Sequence, residues 1–298
     1  MNIVLNRHLL AALCATPLLL SMGLAHADEA IVAPTATAAA APAEPVPAYT
    51  LTYNLGMYSS YMFRGVDYSN GPALQGGIDW AHSSGFYLGT WFSNLDPYAY
   101  GQVDGTSKGD HLETDFYAGY AHTFDNGFGV NFLGNYYKYL EGRKSADGHK
   151  QDSFEVSAAV SYKYFTYTYY NLLTDYYGLK STPGGTGDSK NTQYHELKVN
   201  YKLPVGDLNF MAKVGYQRSP DIDYAVGGLK HNAGSEGDYA IGLNRDFSLP
   251  SGGKPITGFN AGGYYTNTFA VKDQNFWLTN DGRDTNQQKL WFYVKRSW

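Results

Sequence analysis

The 298-residue sequence holds a single cysteine, Cys14, inside its apolar opening stretch. From residue 28 onward there is none. No disulfide braces the fold, and the absence suits an oxidising compartment where stray thiols are a liability. Also missing after the opening stretch is any apolar run of about 20 residues, the length a membrane-crossing helix needs. Mean hydropathy is −0.38. Basic residues are the minority, 22 Lys and Arg against 27 Asp and Glu, and they form no stripe, so nucleic acid is set aside as a partner. His82, His111, His122, His149, His195 and His231 are scattered, with no metal-ligand spacing and no nucleophile motif beside them. No cofactor, no metal and no catalytic residue is therefore expected, and a membrane-embedded hydrolase is the least favoured reading.

The opening residues have the layout of an export signal. Arg7 and His8 form a short polar start, Leu9 to Leu24 is mostly apolar, and Ala25-His26-Ala27 supplies a small-x-small cleavage pattern. Residues 28–48 are almost entirely Ala, Pro, Val, Thr and Glu, a composition for an extended periplasmic leader rather than a core. One domain then runs over residues 49–298.

What that domain has in plenty is tyrosine, 28 in the chain, and glycine, 34. Both suit pleated strands joined by tight turns. Runs of about ten residues alternate in polarity, the span of a tilted strand crossing a bilayer. From Asp152 to Tyr164, Phe154, Val156, Ala158, Val160 and Tyr162 share one face, and Ser153, Glu155, Ser157, Ala159, Ser161 and Lys163 share the other. A soluble sandwich strand alternates in the same way. The connections separate the two. Short links (82–85, 125–127, 163–165, 204–207, 250–255) alternate with longer polar ones (65–72, 94–111, 141–151, 178–191, 219–237, 270–286). That is the layout of an up-and-down, antiparallel transmembrane β-barrel, with tight periplasmic turns and longer outward loops.

About twelve strands are expected, near Leu51, Ala73, Phe86, Leu112, Phe128, Ser153, Thr166, Thr192, Leu208, Asp238, Ile256 and Gln288. An open edge cannot stand in hydrocarbon, so the segment 51–63 should pair with 288–298. Phe124, Phe128, Tyr162, Tyr164, Phe165, Tyr201, Tyr216 and Tyr239 fall near strand ends, where aromatic girdles sit. The longer loops are read as lacking aromatic hot-spot clusters.

Parity assigns an inner face of Asn54, Tyr58, Ser60, Gln75, Asp79, Glu113, Asp115, Asn131, Asn135, Glu155, Glu196, Lys198, Lys213, Asp238, Asn260 and Lys295, with Arg64 at the outer rim. Acids and bases are both present, so such a lumen holds either a narrow water path of weak ion selectivity or a closed salt-bridge network. Arg64 either contacts a solute or makes a structural salt bridge to Asp67 or Asp79.

The chain ends at Trp298, with Leu290, Phe292 and Val294 in the same parity, which resembles the C-terminal signature by which outer-membrane barrels are recognised for assembly. Arg296 departs from that pattern, and a terminal Phe is commoner than Trp.

The segment from Tyr58 to Asn94 resembles the signature of the TorF family of porin-like proteins, also catalogued as Gcw_chp proteins of unknown function. The residues that carry the likeness are Ser59-x-Tyr61-x-Phe63-Arg64-Gly65, Ser69, Pro72-Ala73, Gln75-Gly76-Gly77, Ser84-Gly85-Phe86-Tyr87 and Gly89-Thr90-Trp91, with Thr174-Asp175-Tyr176-Tyr177 further on. The resemblance implies a Gram-negative outer-membrane location and a transport role. The function expected is a porin-like channel for passive diffusion of small hydrophilic solutes. The alternative is a plugged barrel with a structural or surface-interaction role. Partners would be outer-membrane lipid, the barrel-assembly machinery and the solute.

Overall fold

The computed structural model describes residues 48–96, 110–140, 150–178, 188–220, 232–279 and 281–298. The expected signal segment 1–27 and the leader up to residue 47 lie outside the described residues. Strands occupy β1 Tyr49–Tyr58, β2 Met62–Phe63, β3 Val66–Asp67, β4 Ala73–His82, β5 Phe86–Asn94, β6 Leu112–Thr123 and β7 Phe128–Tyr139. They continue as β8 Ser153–Tyr162, β9 Phe165–Leu172, β10 Gln193–Lys202, β11 Leu208–Arg218, β12 Glu236–Leu249, β13 Ile256–Phe269 and β14 Lys289–Ser297.

All of these but β2 and β3 close into one antiparallel barrel of twelve strands in chain order. Each expected strand is present. Closure runs through β1 and β14, where Gly56 opposes Lys295 and Met57 opposes Val294. Two backbone hydrogen bonds of 3.0 Å between Tyr53 and Trp298 extend that seam to the last residue. Every ladder position is thus paired without an exposed edge, which hydrocarbon requires.

Alternation decides which way each side chain points. Leu290 and Phe292 are 61% and 54% exposed on β14, whereas Trp291 between them is 2% exposed. Leu51, Leu55, Ile78, Leu88, Phe116, Phe132, Leu197 and Val214 continue the exposed apolar band around the other strands. A sandwich would bury such a face against a second sheet, whereas here it surrounds a single closed sheet. A closed antiparallel barrel with an outward apolar band is the architecture of outer-membrane barrels. At the short-turn end Phe124, Phe128, Tyr162, Tyr164, Phe165 and Tyr201 are exposed in a ring.

The first outward link departs from the sequence reading. Strand β1 ends at Tyr58, not Phe63, and the chain then turns into the barrel as the β2–β3 hairpin. Its residues from Ser60 to Tyr68 are buried. The densest core lies there, inside the barrel toward the long-loop end: Tyr58, Tyr61, Phe63, Trp91, Tyr137 and Tyr177. Other long links also turn aromatic residues inward, namely Tyr176 and Tyr177 from 173–192 and Trp277 from 270–288. The expectation that these loops lack aromatic clusters is therefore corrected. Among the described residues, Tyr176, Tyr177 and Trp277 occupy the mouth of the barrel rather than its outer surface.

Candidate functional site

The hairpin reverses over Arg64 and Gly65, between the opposed pair Phe63 and Val66. Both turn residues have positive φ, 48° and 84°. That conformation suits a tight two-residue reversal and is unfavourable for arginine by about 1–2 kcal/mol. The contacts of the Arg64 side chain offset it. Its Nη2 donates to Glu155 Oε1 on β8 at 2.8 Å. Its guanidinium lies 4.7 Å from the Phe63 ring, 4.7 Å from Tyr170 and 4.4 Å from Tyr194. Glu155 Oε1 also accepts from Tyr137 Oη at 3.0 Å. A planar, weakly hydrated cation between ring faces and a carboxylate is a strongly favoured arrangement.

Gly65 meets the opposite wall. A Cβ there would lie 2.7 Å from both Asp238 Cβ on β12 and Thr268 Cγ2 on β13. From its root beside β1 the hairpin thus spans the lumen, with one tip residue against β8–β10 and the other against β12–β13.

The root is held as firmly. Asp67 accepts from Ser60 Oγ at 2.6 Å and pairs with Lys289 on β14 and with Arg283 at 3.8 Å. Arg283 also reaches Asp96 at 2.6 Å, tying the loop before β14 to the loop after β5. The Asp67 amide donates to Thr285 O at 2.7 Å. Tyr61 packs edge-on against Trp91 at 5.4 Å, and its hydroxyl lies 3.4 Å from Glu113 Oε1.

The other side chains assigned to the inner face belong to hydrogen-bonded groups at several levels. Gln75 Nε2 donates to Ser93 Oγ at 3.3 Å, and Asn131 accepts from Tyr87 Oη at 2.9 Å. Asp79 accepts from Tyr117 Oη at 2.5 Å. Asn135 Nδ2 donates to Asp115 Oδ2 at 3.0 Å. Glu196 lies 3.6 Å from Lys198 and 3.5 Å from Lys213, and Lys213 is 3.7 Å from Asp238, which accepts from Tyr194 Oη at 2.6 Å. Asn260 accepts from Tyr293 Oη at 2.6 Å and donates to Asp246 at 2.7 Å. Asn54 and Lys295 are partly exposed at the closing seam, Tyr58 is buried beside it, and Ser60 sits in the hairpin rather than on a strand. Acids alone cluster on one side, whereas the lysines are interleaved with Glu196 and Asp238. Glu113, Asp115 and Glu155 lie on β6 and β8, whereas Lys198 and Lys213 lie on β10 and β11.

Two points of the sequence reading change. Arg64 pairs with neither Asp67 nor Asp79 but with Glu155. It also does not end the first strand at the rim, because it forms the tip of an inward hairpin. Sequence reasoning named Asp67 only as a candidate partner of Arg64 and missed Asp96, Arg283 and Lys289, and it placed tyrosines at girdles while Tyr137, Tyr170 and Tyr194 point inward. Parity was the available signal for those tyrosines. Tyr194 alternates in step with Glu196 and Lys198, and Tyr137 with Asn135.

Of the C-terminal residues, Leu290, Phe292, Val294 and Trp298 are all exposed on the outer face. Trp298 stacks on Tyr53 at 6.3 Å, and Arg296 lies over the Phe259 and Trp298 rings at 5.3 and 5.6 Å. His195 also faces outward, where Tyr167 Oη lies 2.8 Å from its Nδ1. Among the described residues no group of His, Cys, Asp and Glu is arranged to hold a metal.

The profile of the Gcw_chp family, bacterial proteins of unknown function, matches residues 42–298. The chain belongs to the Gcw_chp family. The match takes in the whole barrel and the hairpin, so the Arg64-Gly65 tip lies within the family region. No curated protein matches this Gcw_chp chain. Among solved structures it is similar to the KdgM porin, with 8% identity and a TM-score of 0.43 over 83% of this chain and 97% of that one. It is similar also to the NanC porin, at 11% identity, TM-score 0.46, and 84% and 99% coverage. A third similarity is to the outer membrane protein OprD from Pseudomonas aeruginosa, at 12% identity, TM-score 0.36, and 83% and 64% coverage.

Proposed function

We propose that this Gcw_chp protein is an outer-membrane channel for passive diffusion of small hydrophilic solutes, closed in the described state by its own β2–β3 hairpin. One observation carries the reading. What blocks the mouth is a separate hairpin whose tip is held to the wall by one ion pair and two ring contacts, Arg64 with Glu155, Tyr170 and Tyr194. No barrel strand has to break for that tip to leave, because β2 and β3 pair only with each other. Inward residues at the short-turn half, such as Asn54, Asp79, Asn260 and Lys295, are polar and partly exposed, as a water path needs.

A second reading, a permanently plugged barrel with a structural or surface role, is favoured by the aromatic packing of the hairpin root, Tyr61 on Trp91 and Phe63 near Tyr137. Planar-bilayer recordings separate the two. Wild-type protein should show rare, small steps, and a variant with residues 60–68 replaced by a Gly-Ser link should conduct steadily. A correctly folded hairpin-less variant that stays silent would establish the plugged reading.

The finer placements belong to the same proposal. The chain is exported through a signal cleaved after Ala27 and falls within the TorF group. It is handed to the assembly machinery by Leu290, Phe292, Val294 and Trp298, and its apolar band meets outer-membrane lipid. N-terminal sequencing of the protein purified from outer membranes tests the cleavage site.

A further inference from the structure

We propose that the wall patch formed by Glu155, Tyr137, Tyr170 and Tyr194 is a guanidinium-binding site. Arg64 fills it when the hairpin is seated, and the cationic head of a guanidino solute fills it when the hairpin leaves. As a solute site it rests on the channel reading above, and it narrows the solute class of that reading.

The patch belongs to the wall, not to the hairpin. Glu155 projects from β8, Tyr170 from β9 and Tyr194 from β10, three consecutive strands of the ladder. Tyr170 and Tyr194 are directly opposed in register, with ring centroids 5.7 Å apart. Tyr137 from β7 fixes the carboxylate by donating to Glu155 Oε1 at 3.0 Å. Withdrawing the hairpin removes Phe63 and Arg64 and leaves these four side chains on paired backbone.

Arg64 itself demonstrates the chemistry that the patch accepts: a flat cation lying against two ring faces with one N–H directed at a carboxylate. Arg64 does not use the site fully. The Glu155 side chain is 4% exposed, and its Oε2 is buried with no hydrogen-bond partner among the described residues. A tethered arginine approaching from the hairpin reaches one oxygen. An untethered guanidinium is free to engage both, the bidentate geometry that strengthens such pairs. A compact ammonium lacks the planar face that lies against the two rings, so it should bind more weakly. An anion would meet Glu155 with Asp115 and Glu113 on the same side of the lumen, and is disfavoured.

The geometry also couples binding to opening. Solute and Arg64 compete for one patch, so an occupied patch holds the hairpin out.

The test uses the full chain in three forms: wild type, Arg64→Ala, and Arg64→Ala with Glu155→Gln. The probes are methylguanidinium and, as a neutral control of like shape, N-methylurea. Calorimetry in detergent should find methylguanidinium bound by Arg64→Ala. Affinity should be about tenfold or more lower in wild type, where Arg64 competes, and in the double variant, where the carboxylate is lost. N-methylurea should bind none of them. In bilayers, methylguanidinium should block Arg64→Ala currents and spare the double variant.

Equal binding by Arg64→Ala and the double variant, or no binding by either, would overturn the site. If Arg64→Ala binds methylguanidinium but carries no current, the site stands and the channel reading falls. Steady current without binding removes the site and leaves the channel reading in place. Should Arg64→Ala fail to fold, judged by heat-modifiable mobility, the variant lacking residues 60–68 presents the same wall and takes its place.

Discussion

Arg64 and Glu155 lie 91 residues apart in the chain and meet at 2.8 Å across the lumen. Each is nearly fully buried, so each depends on the other for its charge to be tolerated. Removing one partner of such a pair costs about 3 kcal/mol. Glu155→Gln should shift the closed–open balance by about a hundredfold toward open. Adding Arg64→Ala to it should cost less than the sum of the single changes. A double-mutant cycle on open probability reads this directly, and strict additivity would count against the pair as the latch.

Arg64→Lys keeps the charge but loses the planar fork and its close contact with the Tyr170 and Tyr194 rings. Cation–π contacts of this kind contribute about 1 kcal/mol. Open probability is expected to lie between that of wild type and Arg64→Ala. A lysine variant indistinguishable from wild type would show that charge alone seats the tip.

Gly65 tests the other side of the tip. Its φ is 84°, and a Cβ would stand 2.7 Å from Asp238 and Thr268. Gly65→Val should therefore unseat the hairpin without harming the barrel. The expected result is raised conductance with unchanged heat-modifiable migration on gels. Gly252→Ala, in a short turn where an added Cβ meets nothing within 4 Å, should behave as wild type.

The closing seam makes a covalent prediction. Met57 and Val294 are directly opposed between β1 and β14, and both side chains face outward. Opposed Cα atoms in an antiparallel pair are about 4.5–5.5 Å apart, within disulfide range. Met57→Cys with Val294→Cys should cross-link on mild oxidation of folded protein, seen as a gel mobility change that a reductant reverses. Failure to cross-link would mean a different register at the seam.

With the tip removed, the lumen loses one positive charge while Glu113, Asp115 and Glu155 remain on β6 and β8. Arg64→Ala channels should favour cations, and Glu155→Gln in that background should reduce the preference. Reversal potentials in a salt gradient measure both. Anion preference in Arg64→Ala would contradict this distribution of charge.

Most of the barrel was legible because its physics is repetitive. Two-residue alternation, turn residues such as Asp125-Asn126-Gly127, and the sorting of short from long links place all twelve strands. The hairpin was not legible for the opposite reason. Tyr61-Met62-Phe63 continues the alternation of β1, so it reads as three more strand residues. Only the inside of the folded barrel offers those side chains a second apolar surface. One clue was present: Arg64-Gly65 sits between two short β-prone pairs, the spacing of a two-residue reversal. Ion pairs such as Asp67 with Lys289 join opposite ends of the chain, and no local pattern announces them. Parity orders neighbours on one strand, such as Glu196 with Lys198, whereas which acid Arg64 would meet depended on how far the hairpin reaches across the lumen.

The hairpin root has a consequence for biogenesis. Asp67 is anchored by Lys289 and Arg283, which belong to the final strand and the loop just before it. Until β14 has joined β1, the hairpin lacks its anchor and the lumen has no cap. Docking of the last strand therefore does two jobs at once: it closes the sheet and it supplies the partners that seat the hairpin.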